Sequence, residues 1–422
     1  MLPEGWKRVP LHKIADVRTG LAKGKQGLKD ALELPYLRVA NVQDGHIDLK
    51  EVKTIQVGRA DIDRYALLAG DVLMTEGGDF DKLGRGAVWA GEIAPCLHQN
   101  HVFAVRPNAD YLDSSFLSAL SASEYGRNYF LSCAKRSTNL ASINSSQLKT
   151  FPVLLPRLGE QKGISEVLAI WDNAIATTEK LLANSRRLKQ VLMQQLLTGK
   201  RRLPKFVISS ARITTRFGSI PADWRHVPIE QIAGEFSAKN AADRQLPVLS
   251  CTKYAGLVDS LAYFNKQVFS QDVSTYKLVG RGCFAYATNH IDEGSIGYQN
   301  LYDEALISPM YTVFKPGSDI DHGFLFKLLK TEHYRQIFAA NINASVDRRG
   351  SLRWGDFKKI EIPLPSLAEQ AAISSIIDSA QLEVESIERQ LEKLKEEKRS
   401  LMQQLLTGKR RVRLTATEAA SA

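Results

Sequence analysis

Cysteine is scarce in this chain, and its few cysteines are scattered. None of them forms a C-x-x-C pair: Cys96, Cys133, Cys251 and Cys283. Without paired spacing, redox motifs and metal knuckles are not indicated, and we expect buried free thiols of a cytoplasmic protein. Long apolar runs are lacking too, since no stretch of about 18 apolar residues occurs and the N-terminus has no apolar signal core. We therefore expect no membrane segment.

The motifs of common catalytic sites are lacking as well. The chain has no G-x-G-x-x-G cofactor loop, no helicase-like phosphate loop and no Asn/Asp-Pro-Pro-aromatic run. His98 and His101 lie three residues apart, but no third ligand stands in register, so structural roles are favoured over a metal site. Glu51 and Lys53 have the E-x-K order used by nucleases, yet no Pro-Asp precedes them. We predict a non-catalytic chain that binds no metal or cofactor itself.

What the chain does contain is an identical string that occurs twice. LMQQLLTGKRR at residues 192–202 recurs unchanged at residues 401–411. More diverged matches precede each copy: LPEGWKRVP with Trp6 matches IPADWRHVP with Trp224, and VLLPRLGEQ matches IPLPSLAEQ. The chain is therefore one structural unit written twice. A length of 422 residues also fits two domains with connecting structure.

The sequence pattern of each half changes once along its length, from a strand-like pattern to a helical one. It begins with short apolar runs between Gly, Pro and Asn, which predict strands and turns, with one helix predicted at 114–131 in the first half. After Pro365, apolar residues recur at alternating spacings of four and three, which predicts a coiled-coil helix. After Pro156 a similar apolar pattern is interrupted by Thr178 and Ser185, which predicts a partner helix with a defect in its seam. Gly199 and Gly408 follow the last apolar turns as predicted C-caps. Chain order requires the two helices to be antiparallel if their apolar seams are to bury each other.

These patterns, in this order, resemble the specificity subunit of type I restriction-modification systems. The resemblance rests on LPEGW and GSIPADW, on STNLASINSSQLKTFPVLLPRLGEQKGI at 137–164 and on the helix end QQLLTGK, and it covers nearly the whole chain. We predict an α+β fold with two mixed α/β target-recognition domains, related by pseudo-two-fold symmetry and separated by a long antiparallel two-helix coiled coil. The predicted divisions are recognition domains at 1–156 and 220–365, spacer helices at 157–199 and 366–408, a linker at 200–219 and a C-terminal tail at 409–422.

The resemblance also implies a function and partners. Each recognition domain is expected to recognise one half of a bipartite, asymmetric sequence in double-stranded DNA. The helices are expected to act as a spacer and to dock two methyltransferase (M) subunits, with restriction/translocase (R) subunits completing the complex. S-adenosylmethionine, ATP and Mg then belong to those partner subunits. The formal charge of +10 agrees with a polyanionic partner. The alternative is a coiled-coil interaction scaffold whose globular domains bind protein, not DNA.

Candidate DNA contacts lie in polar, basic loop segments. Arg or Lys could recognise guanine, Asn could recognise adenine, and any of these side chains could instead hold phosphate or remain solvated. The candidates are Lys82, Arg85, Lys135, Arg136, Thr138, Asn139, Asn289, His290, Arg348, Arg349 and Arg353. The identical string supplies candidate partner-binding residues, because identical partners would select the same surface twice. These are Gln194, Gln195, Gln403 and Gln404.

Overall fold

The structure is a computed structural model that describes residues 2–23, 30–78, 83–84, 86–136, 141–215, 218–241, 244–342 and 350–412. Contacts divide the chain into two compact units. Unit 1 comprises Met1–Lys180 and Arg389–Ala422, and unit 2 comprises Leu181–Glu388. Each unit thus combines the body of one sequence repeat with the end of the long helix that closes the other repeat.

Unit 1 is built from short strands in several small sheets. Its strands are β1 Lys7–Pro10, β2 Ala15–Thr19, β3 Ala31–Leu37, β4 Lys53–Gly58, β5 Val72–Thr75, β6 Gly77–Gly78, β7 Gly86–Val88, β8 Leu97–His98, β9 Val102–Pro107, β10 Lys135–Arg136, β11 Ala141–Ser142 and β12 Pro152–Leu155. The main sheet has the antiparallel order β2-β9-β5-β7. A second sheet has the order β4-β3-β8, in which β3 and β8 are parallel. β1 pairs with β12, and β6, β11 and β10 form a small sheet of their own.

Five α-helices begin in the described residues of unit 1, and some of them pack on its main sheet. They are α1 Ile62–Tyr65, α2 Ser114–Ala122, α3 Glu124–Cys133, α4 Ser145–Lys149 and the long α5 Leu158–Leu196. All four residues of β5 are buried. This follows from its position between β9 and β7 and under α2, whose Phe116, Leu117 and Leu120 are also buried. The apolar run VLMT therefore forms a core strand.

The predicted single helix at 114–131 is wrong, because the structure has α2 and α3 there. Ser123 between them has φ −67° and ψ 166°, which is extended backbone, and its Oγ accepts a hydrogen bond from the Gly126 amide at 3.3 Å. Serine in this position begins a new helix. A Cβ on Gly126 would lie 2.4 Å from the carbonyl oxygen of Ser121, so the sharp turn between the helices requires glycine.

Unit 2 repeats the main sheet of unit 1 and has a four-stranded counterpart of its second sheet. Its strands are β13 Arg212–Thr215, β14 Gly218–Pro221, β15 Arg225–Pro228, β16 Ala233–Glu235, β17 Val248–Thr252, β18 Gly256–Asp259, β19 Lys277–Gly280, β20 Phe284–Ala287, β21 Ile296–Tyr298, β22 Glu304–Ile307, β23 Tyr311–Pro316 and β24 Glu361–Leu364. The order β16-β23-β20-β21 matches the main sheet of unit 1, and β18-β17-β22-β19 matches the second sheet, again with one parallel pair. The prediction of an α+β fold with two repeated mixed domains is confirmed.

The helices of unit 2 are likewise short until the last. They are α6 Ser260–Phe264, α7 His322–Leu329, α8 Glu332–Ala340, α9 Trp354–Phe357 and the long α10 Leu367–Leu406. The segment predicted as a linker, 200–219, also contains structure: β13 pairs with β14, and the Arg212 guanidinium donates to the Gly199 carbonyl at 2.7 Å. Within the described residues, no helix is apolar enough over a sufficient length to cross a bilayer.

The two long helices run in opposite directions where they pair in unit 1. Along α5 from Asp172 to Glu179, the ion-pair partner on α10 moves back from Lys398 to Lys395. The Glu179 carboxylate lies 2.9 Å from the Lys395 ammonium, with both side chains partly exposed. Such pairs flank the apolar seam and contribute mainly to register, because exposed ion pairs stabilise little.

The pairing direction is the same within unit 2. Arg186 on α5 pairs with Glu388 on α10 at 2.6 Å, and Lys189 donates to the Gln381 side chain at 2.5 Å. The predicted seam of α10 is buried here at its four-and-three spacing: Ile373, Ile377, Ala380, Val384 and Ile387. Ser185, a polar interruption of the seam on α5, is buried as well.

A buried carboxylate near the start of α10 joins three parts of unit 2. Glu369 is 2% exposed and accepts hydrogen bonds from Trp224 Nε1 at 3.1 Å and from Arg202 Nε and Nη2 at 2.6 and 2.8 Å. The Arg202 guanidinium lies 5.4 Å from the Trp224 ring centroid. Burial lowers the pKa of Arg202, but its hydrogen bonds to Glu369 and Asp223 together raise the pKa by more than burial lowers it. The pKa of Arg202 is therefore raised overall. We call Trp224, Glu369 and Arg202 the unit 2 clamp.

Unit 1 has the matching clamp. Glu160 near the start of α5 accepts a hydrogen bond from Trp6 Nε1 at 3.2 Å and one from Arg411 Nη2 at 2.8 Å. The hydrogen bonds to Glu160 raise the pKa of Arg411. Arg411 follows α10, just as Arg202 follows α5. The arginine that closes each unit therefore comes from the end of the other repeat.

The glycines predicted as C-caps explain a second part of the identical string. Gly199 and Gly408 have φ of +64° and +71°, in the left-handed region that favours glycine. A Cβ on Gly199 would lie 2.5 Å from Pro221, and a Cβ on Gly408 would lie 2.3 Å from Pro3. The C-caps predicted at these glycines are confirmed, and each glycine lets a helix end approach the clamp tryptophan closely.

Replacing Arg202 by alanine tests the unit 2 clamp. The change leaves the Glu369 carboxylate buried without its cation, so the free energy of unfolding should fall by about 3–5 kcal/mol. Urea denaturation followed by circular dichroism measures the loss. Arg201→Ala is the matched control, because Arg201 is exposed and its loss should cost no more than about 0.5 kcal/mol. Equal losses from the two variants would contradict the role given to the clamp.

Candidate nucleic-acid interface

Several candidate DNA-contacting residues lie outside the described residues, so their positions stay predictions. These are Lys82, Arg85, Thr138, Asn139, Arg348 and Arg349. Arg136 is placed only by its backbone, in β10. The described candidates are Lys135 in unit 1 and Asn289, His290 and Arg353 in unit 2. The segments that flank the other candidates are described and show which loops the fold brings together.

In unit 1 the small sheet β6-β11-β10 joins the two candidate loops. Gly77 of β6 pairs with Ser142 of β11, which is the central strand, and Lys135 of β10 pairs with the same Ser142 on its other side. A Cβ on Gly77 would lie 2.8 Å from the Ala141 carbonyl oxygen, so the close strand approach requires glycine. Lys135 is exposed at this edge. The loop that follows β6 and the loop between β10 and β11 thus leave the same small sheet.

A histidine and a glutamate that the sequence does not single out for DNA contact adjoin this sheet. His101 Nδ1 lies 2.5 Å from a Glu76 carboxylate oxygen, and the Glu76 amide donates to the His101 carbonyl at 3.0 Å. His98 is separate from this pair: it is buried, its Nδ1 lies 2.7 Å from the Val102 carbonyl, and burial lowers its pKa. No group of three His, Cys, Asp or Glu side chains able to hold a metal occurs in the described part of the chain.

In unit 2 one backbone hydrogen bond joins the two candidate segments. The Leu352 amide donates to the Thr288 carbonyl at 2.8 Å. This places Arg353 beside the segment that carries Asn289 and His290. His290 and Arg353 are exposed, and Asn289 is half-buried. His290 Nδ1 lies 3.1 Å from the Glu293 carboxylate three residues along.

Aromatic packing fixes the position of Arg353. It precedes α9, and its carbonyl accepts hydrogen bonds from the amides of Asp356 and Phe357 at 3.1 and 3.0 Å. Trp354 stacks on Phe314 of β23 with ring centroids 5.6 Å apart, and Phe357 is fully buried. The backbone that carries Arg353 is therefore rigid while its guanidinium faces solvent, as a contact to a polyanion requires.

The two units present these segments through the same backbone contact. In unit 1 the Ile143 amide donates to the Glu76 carbonyl at 2.8 Å, as Leu352 does to Thr288 in unit 2. A short helix follows immediately in both, with Asn144 before α4 and Arg353 before α9. The repeats thus share a scaffold here, although the exposed side chains differ.

The glutamines of the identical string are only partly available to a partner. Gln194 and Gln403 are exposed, whereas Gln195 and Gln404 are half-buried. Gln403 Nε2 donates to the Glu124 carboxylate at 2.9 Å, and Gln404 Nε2 donates to a serine side chain one turn back. Much of the identity between the two strings has an internal cause, because their leucines lie in the two cores and their last arginines complete the clamps.

The model of the type I restriction modification DNA specificity domain family matches residues 3–184 and 252–396, one match in each repeat and together more than half of the chain. The chain belongs to this family. The resemblance stated from the sequence motifs is thereby confirmed. Among relatives, the chain is 26% identical over 444 residues to the type I restriction enzyme MjaX specificity subunit of Methanocaldococcus jannaschii, covering 98% of this chain and 95% of the relative. It is 22% identical over 447 residues to the EcoBI specificity subunit of Escherichia coli, covering 98% and 87%.

Two solved structures of type I specificity subunits have the same fold as this chain. The HsdS subunit from Thermoanaerobacter tengcongensis superposes with a TM-score of 0.55 at 18% identity, over 96% of this chain and 98% of that chain. The S subunit of a type I restriction-modification system from M. genitalium superposes with a TM-score of 0.52 at 13% identity, over 97% of each chain.

Replacing Arg353 by alanine tests the unit 2 surface. Loss of a phosphate contact should lower the slope of log affinity against log salt by about 0.9, and loss of a guanine contact should remove about 1–3 kcal/mol of discrimination at one base pair. Fluorescence anisotropy of labelled duplex with the assembled complex measures both. Lys266→Ala is the control, since Lys266 is an exposed lysine of the same unit that follows α6. If the Arg353→Ala complex binds duplex with wild-type affinity at every salt concentration, Arg353 does not belong to the interface.

Proposed function

We propose that this chain is the specificity subunit of a type I restriction-modification complex and recognises a bipartite, asymmetric sequence in double-stranded DNA. The observation that carries the proposal is the duplication of a DNA specificity domain: the family model matches both repeats, and the two units share sheets and loop contacts. Two copies of one scaffold with different exposed side chains suit two different short half-sites. With about 1–3 kcal/mol per base pair, three or four pairs per unit give ordinary specificity.

The long helices are proposed to act as the spacer between half-sites. α5 has 39 residues and α10 has 40, so each measures roughly 58–60 Å at about 1.5 Å per residue. An antiparallel coiled coil of this length, with the recognition domains related by a pseudo-two-fold axis, could hold half-sites about one turn of DNA apart, about 34 Å. Local support comes from the opposed directions of α5 and α10 in each unit.

The chemistry of modification and cleavage is proposed to lie on other subunits. Two M subunits would bring S-adenosylmethionine, and R subunits would bring ATP and Mg. This division agrees with the absence from the sequence of cofactor and phosphate loops. The net charge of +10 supports a direct role in holding the duplex. A scaffold whose domains bind only protein is the alternative, and it predicts no duplex affinity for salt to weaken.

Exchanging one recognition domain tests the function. Residues 1–155 are replaced by the same region of a relative that keeps a tryptophan at the position of Trp6, so that the junction falls where β12 ends and the unit 1 clamp survives. Expressed with the M subunits, the chimera should methylate a sequence in which one half is new and the other unchanged. Long-read mapping of methylated bases across a genome measures this. A chimera that alters both halves, or neither, would contradict the proposal.

Replacing the four glutamines of the identical strings tests docking of the M subunits. Gln194, Gln195, Gln403 and Gln404 are changed together to alanine, and the dissociation constant for the M subunits is measured by analytical ultracentrifugation. We expect it to rise at least about tenfold, corresponding to about 1.4 kcal/mol. The methylated sequence should stay the same. A changed sequence with unchanged assembly would assign these glutamines to DNA and not to the partners.

A further inference from the structure

Each unit carries a tight turn after the strand that forms the parallel pair in its second sheet. In unit 1 the turn follows β3: Val42 bridges to Ile47, and the Gln43 amide donates to the His46 carbonyl at 3.0 Å. In unit 2 it joins β17 to β18, and Thr252 pairs with Gly256. Both turns contain a glycine in the left-handed conformation, Gly45 at φ +75° and Gly256 at φ +73°. We call them the unit 1 turn, residues 42–47, and the unit 2 turn, residues 252–257.

The unit 1 turn is anchored beside the candidate loop. The Gly45 amide donates to the Gly86 carbonyl at 3.1 Å, and Gly86 is the first residue of β7, which directly follows the loop predicted to contact DNA. Asn41 before the turn is 3% exposed, and its side-chain Nδ2 donates to the carbonyls of Asp48 and Glu51 at 2.8 and 2.9 Å. The turn is therefore held rigidly at the edge of the candidate interface.

The unit 2 turn is anchored at the corresponding place by different chemistry. Lys330 Nζ donates to the Lys253 carbonyl at 2.7 Å and to the Gly294 carbonyl at 2.8 Å. Gly294 ends the segment that carries Asn289 and His290, so one ammonium group ties the turn to that segment. Burial lowers the pKa of Lys330, and the nearby Cys251 raises it by a smaller amount. The unit 2 turn also packs on β21, because a Cβ on Gly297 would lie 2.3 Å from the Leu257 amide nitrogen.

The tips of the two turns are exposed and chemically different. The unit 1 turn presents Asp44 and His46 to solvent. The unit 2 turn presents Lys253 and Tyr254, with Tyr254 82% exposed and the Lys253 ammonium 5.5 Å from its ring centroid. A carboxylate can accept from the amino group of cytosine, a lysine can donate to guanine, and an aromatic ring can pack on an exposed base or methyl group. Turns at corresponding places in the two units, each with a left-handed glycine but with different exposed side chains, suit recognition of two unlike half-sites.

We propose that the two turns are additional sequence-determining elements: Asp44 and His46 contact base edges of the half-site recognised by unit 1, and Lys253 and Tyr254 contact those of unit 2. This rests on the proposed function, since it presupposes that each unit binds one half-site. It adds a rigid contact to each candidate interface. The two turns act independently, because each is anchored wholly within its own unit.

The test uses the full chain assembled with its M subunits and mapping of methylated sites across a genome. Tyr254→Ala should relax one or more base positions in the unit 2 half-site only, raising methylation of mismatched sites about tenfold or more relative to wild type. His46→Ala should do the same in the other half-site only. The matched controls are Tyr263→Ala, a tyrosine 53% exposed on α6, and His12→Ala, an exposed histidine in unit 1. Both controls should keep the wild-type sequence.

The outcomes separate the inference from the function on which it rests. If the wild-type complex methylates no split sequence, the proposed function itself is contradicted. If the wild-type complex methylates a split sequence and both Tyr254→Ala and His46→Ala leave the two half-sites unchanged, the inference alone is overturned. If a variant abolishes methylation, competition binding against duplexes substituted at each half-site position decides. Unchanged discrimination by the variant complex then overturns the inference, and loss of discrimination confined to one half supports it.

Discussion

A buried carboxylate at the start of each long helix is the constraint on which the other contacts depend. Glu160 and Glu369 each sit in a core, where an unpaired charge would cost several kcal/mol. Each is balanced by an arginine and a tryptophan from distant parts of the sequence. The pairing therefore selects one arrangement of helix start, opening segment and helix end, since any other leaves the carboxylate without partners.

The clamps also make each unit depend on both repeats. Unit 1 takes Arg411 and the buried Leu405 and Leu406 from the end of the second repeat, while unit 2 takes Arg202 and Leu197 from the end of the first. The first repeat taken alone would therefore lack a cation for Glu160 and part of its core. This exchange gives a physical reason for the identity of LMQQLLTGKRR in both places, because each copy completes one core and one clamp beside an equivalent tryptophan.

The parts of this arrangement that follow local rules could be predicted from sequence. Gly199 and Gly408 follow the last apolar turns of long amphipathic helices, and their left-handed conformations are what that position favours. The spacing of Ile377, Val384 and their neighbours likewise predicted a buried seam. The break at Ser123 was missed because a single residue separates α2 from α3, so the sequence shows no loop between them. The cap to Gly126 and the close approach at that glycine reveal the turn. Contacts such as Leu352 to Thr288 join segments 64 residues apart, and no local pattern encodes them.

The same reasoning explains why the candidate interface is harder to predict than the scaffold. Positions such as Gly77 and Phe357 are determined by neighbours within the chain, so steric and burial rules apply to them. Positions such as Tyr254 and Arg353 face solvent, so steric and burial rules within the chain do not determine their identity. The duplication offers a way around this limit. Where two repeats keep a feature such as the left-handed glycine of each turn and vary the exposed side chains beside it, the fold accounts for the glycine. The variation of the exposed side chains then points to selection by something outside the chain.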